Sequence, residues 1–143
     1  MRILGLDVGS KIIGIAVSDE MGWTGQGIGA IRRTNIGADL AELDNYLQKY
    51  AVEKIVVGIP RNMNGSIGSA AEQVFTFIER LKERFALPVE TWDERLSTVA
   101  AERILLEADM SRGKRKKVID KIAAAIILQG YLDYLNSKTP AAE

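Results

Sequence analysis

Residues 2–18 read RILGLDVGSKIIGIAVS: two apolar runs, 2–8 and 12–18, joined by Gly9-Ser10-Lys11. Each run has the length and aliphatic content of a buried strand. A three-residue connection containing glycine folds the second run back antiparallel to the first. Gly14, inside the second run, signals a bulge or a close backbone approach. The glycine-rich stretch 22–29 leads into AIRR (residues 30–33), read as a third strand that completes an antiparallel meander.

Beyond the meander the period changes. Ile36, Leu40, Leu43, Leu47 and Tyr50 recur at helical spacing, with Asn35 placed to cap the start and Asp39 suited to its positive end. Lys54–Ile59 is a short buried strand stopped by Pro60, followed by the polar loop 61–66. Ser69 and Glu72 have the spacing of a capping box for a helix over about 70–85. Pro88–Asp93 reads as a fifth strand, and Ser97 or Thr98 as the cap of a helix to about Ala108. Residues 111–117 (SRGKRKK) read as a basic loop, and a last helix runs from about Val118 to Leu135. The order β-β-β-α-β-α-β-α-α predicts an α/β fold. Its mixed five-stranded sheet, three antiparallel strands and then parallel ones, is flanked by helices. One domain over residues 1–136 is expected, with 137–143 a frayed tail.

Composition narrows the chemistry. The 143 residues carry 19 Lys+Arg, 19 Asp+Glu, no His and no Cys, for a formal net charge of zero. Without histidine there is no Ser-His-Asp triad and no imidazole base. Without cysteine there is no thiolate nucleophile, disulfide, cysteine zinc site or iron–sulfur cluster. Catalysis would rest on carboxylates, Lys, Arg, Tyr, hydroxyls and backbone, and a metal site on oxygen, pointing to Mg²⁺ or Mn²⁺. No stretch approaches 18 consecutive apolar residues, so no membrane span is expected. The start of the chain reads as a strand and not as a signal peptide, so a cytoplasmic location is expected.

Three acidic positions stand out. Asp7 interrupts the first strand on the face of Ile3 and Gly5, where a carboxylate is costly to desolvate unless cations or hydrogen bonds satisfy it. The plainer reading is a strand-end acid bonded to the Gly9–Lys11 turn. Asp93 and Glu94 end the fifth strand, where ligands bind in open α/β sheets. Adjacent strand residues point to opposite faces, so one of the two enters a site there, and the other holds Arg95 or caps backbone. Asp120 opens the last helix, near its apolar face, where an acid also simply suits the helix dipole. The topology can bring these acids together. Like charges repel, and a divalent cation resolves the conflict. Two such cations roughly 3.5–4 Å apart would clamp the attacking and leaving oxygens of a phosphodiester.

The basic residues supply the complementary half. Arg112, Lys114, Arg115, Lys116 and Lys117 immediately precede Asp120. Such a run is usually a solvated face; here it also suits phosphate-backbone binding with salt-dependent affinity. Lys11, Arg61, Asn62, Asn64, Ser66 and Arg95 are further candidates for contacts to phosphate or sugar. Trp92 reads as a core or edge residue, and Trp23, in a glycine-rich segment, as the better stacking candidate.

Four segments, DVGSKIIGIAVSD (7–19), VVGIPRNMNGSIG (56–68), WDERLST (92–98) and VIDKIAAAIILQGYL (118–132), together resemble the YqgF (RuvX) family. These are Holliday-junction-resolvase-like, pre-16S ribosomal RNA nucleases of bacteria. The likeness spans about residues 1–136. It implies an RNase H-like fold and a divalent-metal nuclease with Asp7, Asp93 or Glu94, and Asp120 as catalytic and metal-binding acids. It also implies a role in trimming the 5′ end of precursor 16S rRNA in ribosome biogenesis, with Holliday-junction resolution as the alternative. Expected partners are structured RNA, branched DNA and ribosomal precursor particles, with the protein a monomer or homodimer. Members of the wider resolvase superfamily often carry a further acid on the last helix. The position three past Asp120 is Ala123 here, which leaves three carboxylates. Two other classes compete. Asp7-Val8-Gly9-Ser10-Lys11 resembles the first phosphate loop of actin-like ATPases, although those bind nucleotide between two such domains. A non-catalytic ribosome-assembly module with structural acids is the third reading.

Overall fold

In a computed structural model the described residues are 1–62, 64–98, 102 and 112–138, the side chains of 112–117 and 138 excepted. Strands β1 (Arg2–Val8), β2 (Ile12–Ser18) and β3 (Gly25–Arg32) are followed by α1 (Ile36–Lys49), β4 (Val52–Ile59), α2 (Ser69–Arg84) and β5 (Val89–Asp93). A 3-10 turn over Glu94–Leu96 follows β5, and α3 spans Arg112–Lys138. The sheet order is β3-β2-β1-β4-β5. β1 pairs antiparallel with β2 and parallel with β4, and β4 pairs parallel with β5. The predicted mixed sheet is therefore present.

The hairpin closes where the sequence put it, with Gly9 N–H donating to Ile12 O at 2.9 Å. β3 begins earlier than AIRR and takes in Gly25, Gly27 and Gly29, which pair with β2. A register shift between Ile15 and Ala16 opposes Ile28 with no partner of its own. This bulge reverses the alternation, so Gly27 lies under α3 while Gly29 meets the ring of Tyr46 on α1.

Further element boundaries differ from the sequence reading. Asn35 does cap α1, its Oδ1 accepting from Ala38 N–H at 2.9 Å. The capping box at α2 does not form, because the helix starts one residue early. Gly68 occupies the cap and Ser69 is already helical, so its hydroxyl cannot reach back. Residues 112–117 are the first turns of α3 and not a loop, and Ser137 and Lys138 continue that helix. Lys and Arg are good helix formers, so a basic run can extend a helix as readily as end it. The helix expected from Ser97 or Thr98 to Ala108 falls almost wholly outside the described residues, as do Met63, Ser111 and residues 139–143. No helix among the described residues is long and apolar enough to cross a membrane.

Two cores sit on the two faces of the sheet. Leu4, Leu6, Ile13, Ile15, Ile31, Ile55, Val57 and Ile59 pack against Leu40, Leu43 and Leu47 of α1 and Val74, Phe77, Ile78 and Leu81 of α2. Each fully buried aliphatic side chain contributes about 1.5–3 kcal/mol. The opposite face is covered by α3, where Ile3, Ala16, Val56 and Trp92 meet Ala123, Ala124, Ile127, Leu128, Tyr131 and Leu132.

Candidate active site

β1 carries the first acid. Gly5 lies under α3, since a Cβ there would stand 2.7 Å from Leu128 Cβ. Alternation puts Asp7, two residues on, on the same face. Asp7 is only 6% exposed. Its neighbours on the adjacent strands are both glycines. Gly14 of β2 is its register partner. On β4 the last recorded pair is Leu6 with Val57, so Gly58 is next in line beside Asp7.

Each glycine makes room for a second acid. A Cβ on Gly14 would lie 1.9 Å from Asp120 O and 3.1 Å from Asp120 Cβ, so any side chain there would displace α3 at Asp120. This is the close backbone approach that Gly14 signalled. A Cβ on Gly58 would lie 3.1 Å from Glu94 Oε2 and 2.6 Å from Ile127 Cδ1. Asp7 is therefore flanked by Asp120 on one side and by the Glu94 carboxylate on the other, all on the α3 face. Among the described residues no three acids stand close enough together to form a metal cluster. The acids line the carboxyl ends of β1 and β4.

Asp93 goes the other way. Its register partner is Ile59, which belongs to the core under α1 and α2. Asp93 Oδ1 accepts from Arg95 N–H at 3.0 Å and caps the 3-10 turn. Its Oδ2 accepts from Arg95 Nη2 at 2.7 Å and lies 3.8 Å from Arg61 Nε. The hydrogen bonds from Arg95 hold the Asp93 carboxyl below the usual carboxylate range, and the Arg61 charge adds to this.

Arg61 also donates to Gly65 O at 3.4 Å. The loop is tied internally, Asn62 Nδ2 donating to Ser66 Oγ at 2.9 Å and Asn64 Oδ1 accepting from Ser66 N–H at 3.0 Å. Gly65 has a positive φ of 86° and sits against the Arg95 guanidinium. The loop after β4 and the turn after β5 thus present Arg61 and Arg95 together. Lys11 is exposed on the hairpin. Arg112, Lys114, Arg115, Lys116 and Lys117 lie on the first turns of α3, with side chains outside the described set. Trp92 is buried and Trp23 is 57% exposed, on the loop after β2.

Gly58 was missed as a functional position. Its only sequence signal is that a glycine interrupts a buried aliphatic strand, as Gly14 does. Ala123, three residues past Asp120, is buried against the sheet.

The family model described as "RuvX: Holliday junction resolvase" matches residues 1–134. A protein of Desulforamulus reducens named "Putative pre-16S rRNA nuclease" is 62% identical over 133 residues, covering 93% of this chain and 97% of that protein. A protein of the same name from Moorella thermoacetica is 59% identical over 135 residues, covering 94% and 96%. Among solved structures, T. thermophilus RuvC in complex with Holliday junction substrate superimposes with a TM-score of 0.61 at 12% identity, covering 97% of each chain. At that identity the likeness concerns the fold, which is RNase H-like.

Proposed function

The chain belongs to the RuvX family of Holliday junction resolvases, and from that premise we propose that it is a divalent-metal-dependent nuclease acting in the cytoplasm on precursor 16S rRNA. The observation that carries the reading is the setting of Asp7. This buried carboxylate has glycine as its neighbour on both adjacent strands, and the missing side chains admit Asp120 and Glu94 to its two sides. A sheet built only for stability would fill those two positions.

The donors fit a hard cation: all are carboxylate oxygens, as Mg²⁺ or Mn²⁺ requires. Asp7, Glu94 and Asp120 are assigned as the residues that hold it. When bound, such an ion supplies an activated water and neutralises charge on the phosphate oxygens. The chain's own part is positioning. Lys11, Arg61 and Arg95 bind the phosphate backbone beside the acids, with Asn62 and Asn64 contributing hydrogen bonds to phosphate or sugar and the basic start of α3 extending the track. Asp93 is a positioning residue, holding Arg61 and Arg95 against one another.

The names of the curated relatives favour precursor 16S rRNA, whereas the family description favours a four-way DNA junction. Incubation with each substrate, with and without Mg²⁺ or Mn²⁺, decides between them. The reading expects metal-dependent cleavage that Asp7→Asn reduces by about two orders of magnitude or more, and a metal-induced rise in melting temperature that the same variant loses. Cleavage that survives in Asp7→Asn or in chelator would overturn it.

A further inference from the structure

On the other side of the Gly9–Lys11 hairpin from the acids, a groove of about 550 Å³ opens between α1 and α2. Its lining mixes apolar Ile36 and Phe77 with hydroxyl, amide and guanidinium groups from Ser10, Arg33, Asn35 and Arg80. Its single carboxylate, Asp39, is 2% exposed, and its oxygens are taken by Thr34 N–H at 3.0 Å and Arg33 Nε at 3.5 Å.

Arg33 is fixed at the floor of this groove. It donates from Nη1 to Gly9 O at 3.0 Å, and its guanidinium lies 5.2 Å from the Phe77 ring centroid. These bonds use two of the five donors a guanidinium carries. Arg80 stands at the rim with its side chain 56% exposed, 3.7 Å from Glu83. Cation and hydroxyl donors share one opening whose one lining acid is buried and already paired, which suits an anion that carries several acceptor oxygens and competes with Glu83 for Arg80. The hairpin ties the groove to the candidate active site: Gly9 O anchors Arg33, Ser10 lines the groove, and Asp7 lies three residues before Ser10.

We propose that this groove holds a backbone phosphate of the nucleic-acid strand on the far side of the hairpin from the scissile bond, so that the strand crosses over Gly9–Lys11. The proposal rests on the nuclease reading above. It predicts that contacts several nucleotides from the cleavage point depend on Arg80, a residue of α2, which packs on the opposite face of the sheet from α3.

The test is fluorescence anisotropy of a single-stranded RNA on the wild-type protein and on Arg80→Glu, Arg80→Ala and Lys82→Glu. Lys82 lies two residues along α2 and so points away from the groove, which makes it a control for net charge. Melting temperature is measured for each variant. Arg80→Glu is expected to weaken binding on the order of tenfold, and Arg80→Ala to weaken it less. Arg80→Ala is also expected to lower the salt slope by about 0.7, one phosphate contact on a single strand. Lys82→Glu is expected to stay within about twofold, as a solvated charge does. Equal effects of Arg80→Glu and Lys82→Glu would overturn the groove assignment. Competition by adenosine monophosphate or inorganic phosphate at the concentration of the RNA would also overturn it, since a free phosphate and not a strand would then be the ligand. A wild-type protein that binds and cuts neither RNA nor DNA refutes the nuclease reading itself. Binding that ignores Arg80 refutes only the groove.

Discussion

The two faces of one sheet are built on opposite rules. Under α1 and α2 the strands project Leu4, Leu6, Ile13, Ile15, Ile55 and Val57, and the helices stand off by the thickness of those side chains. Under α3 the same strands carry Ile3 and Val56, but also Gly5, Asp7, Gly14, Ala16 and Gly58, and at the glycines the helix comes close to strand backbone. The first face buries volume, which is the source of stability. The second gives up volume, and the space so made brings Asp120 and Glu94 to Asp7. One sheet thus separates the work of holding the fold from the work of placing charge.

Two substitutions should break this comparison most visibly. Gly14→Val puts a branched side chain where a Cβ alone would already be 1.9 Å from a backbone oxygen. Overpacking of that kind costs about 1–3 kcal/mol or more, and α3 has to move at Asp120, so activity per folded molecule is expected to fall by roughly 10²-fold. Leu43→Ala on α1, fully buried on the other face, is expected to lose about 2–5 kcal/mol and to leave activity per folded molecule within about twofold. Chemical denaturation combined with a cleavage assay on the same samples measures both. Loss of activity in Leu43→Ala equal to that in Gly14→Val would mean that the faces do not divide the work.

A finer test separates Asp93 from Glu94. Glu94→Gln is expected to lose activity as severely as Asp7→Asn, because that carboxylate lies on the α3 face beside Gly58. Asp93→Asn is expected to lose activity only severalfold, through the released Arg61 and Arg95. Its signature is in stability. The Asp93 pKa is depressed by the hydrogen bonds from Arg95, so its contribution is complete above the ordinary aspartate value of about 3.9 and is lost as pH falls through the depressed value. The melting-temperature gap between wild type and Asp93→Asn should therefore be constant near neutrality and close in the acid range. A gap that widens on acidification, or a Glu94→Gln variant of full activity, would reverse the assignment of the two acids.

How far the sequence led is clearest in the same pair. Alternation states that Asp93 and Glu94 point apart, and it also marks Asp7 as an acid in an apolar strand. It does not state which face α3 covers, because that depends on contacts made some thirty residues later. The hairpin, the parallel strands and the helices α1, α2 and α3 were legible because each is written in a local period of two or of three to four. The early start of α3 was not, since a basic run suits a loop and a helix equally well. The capping box failed by a single residue, the shift that separates a cap hydroxyl from a helical one. Gly14 carried a signal of close approach, while Gly58 showed only an absent side chain. What a missing side chain admits is decided by the tertiary neighbour, here Glu94 and Ile127.

The smallest expected effect concerns the end of α3 farthest from Asp120. Tyr131 donates to Glu90 of β5 and accepts from Lys54 Nζ of β4 at 2.8 Å. Lys54 also lies 3.3 Å from Glu90 Oε2. The hydrogen bond from Tyr131 lowers the Glu90 pKa, and burial together with that bond raises the Tyr131 pKa. Tyr131→Phe removes the shared hydroxyl and leaves the Lys54–Glu90 pair, so the loss should be about 0.5–1.5 kcal/mol, or about 2–6 °C in melting temperature for a chain of this size. Eleven residues of helix separate Tyr131 from Asp120, about 16 Å along the axis. Activity should therefore be unchanged within error if the glycine contacts at Gly14, Gly27 and Gly58 fix the active end of α3 by themselves. A tenfold fall in activity with so small a change in stability would show instead that α3 is held as one lever from its far end. The closeness of helix to sheet would then not be sufficient to place Asp120.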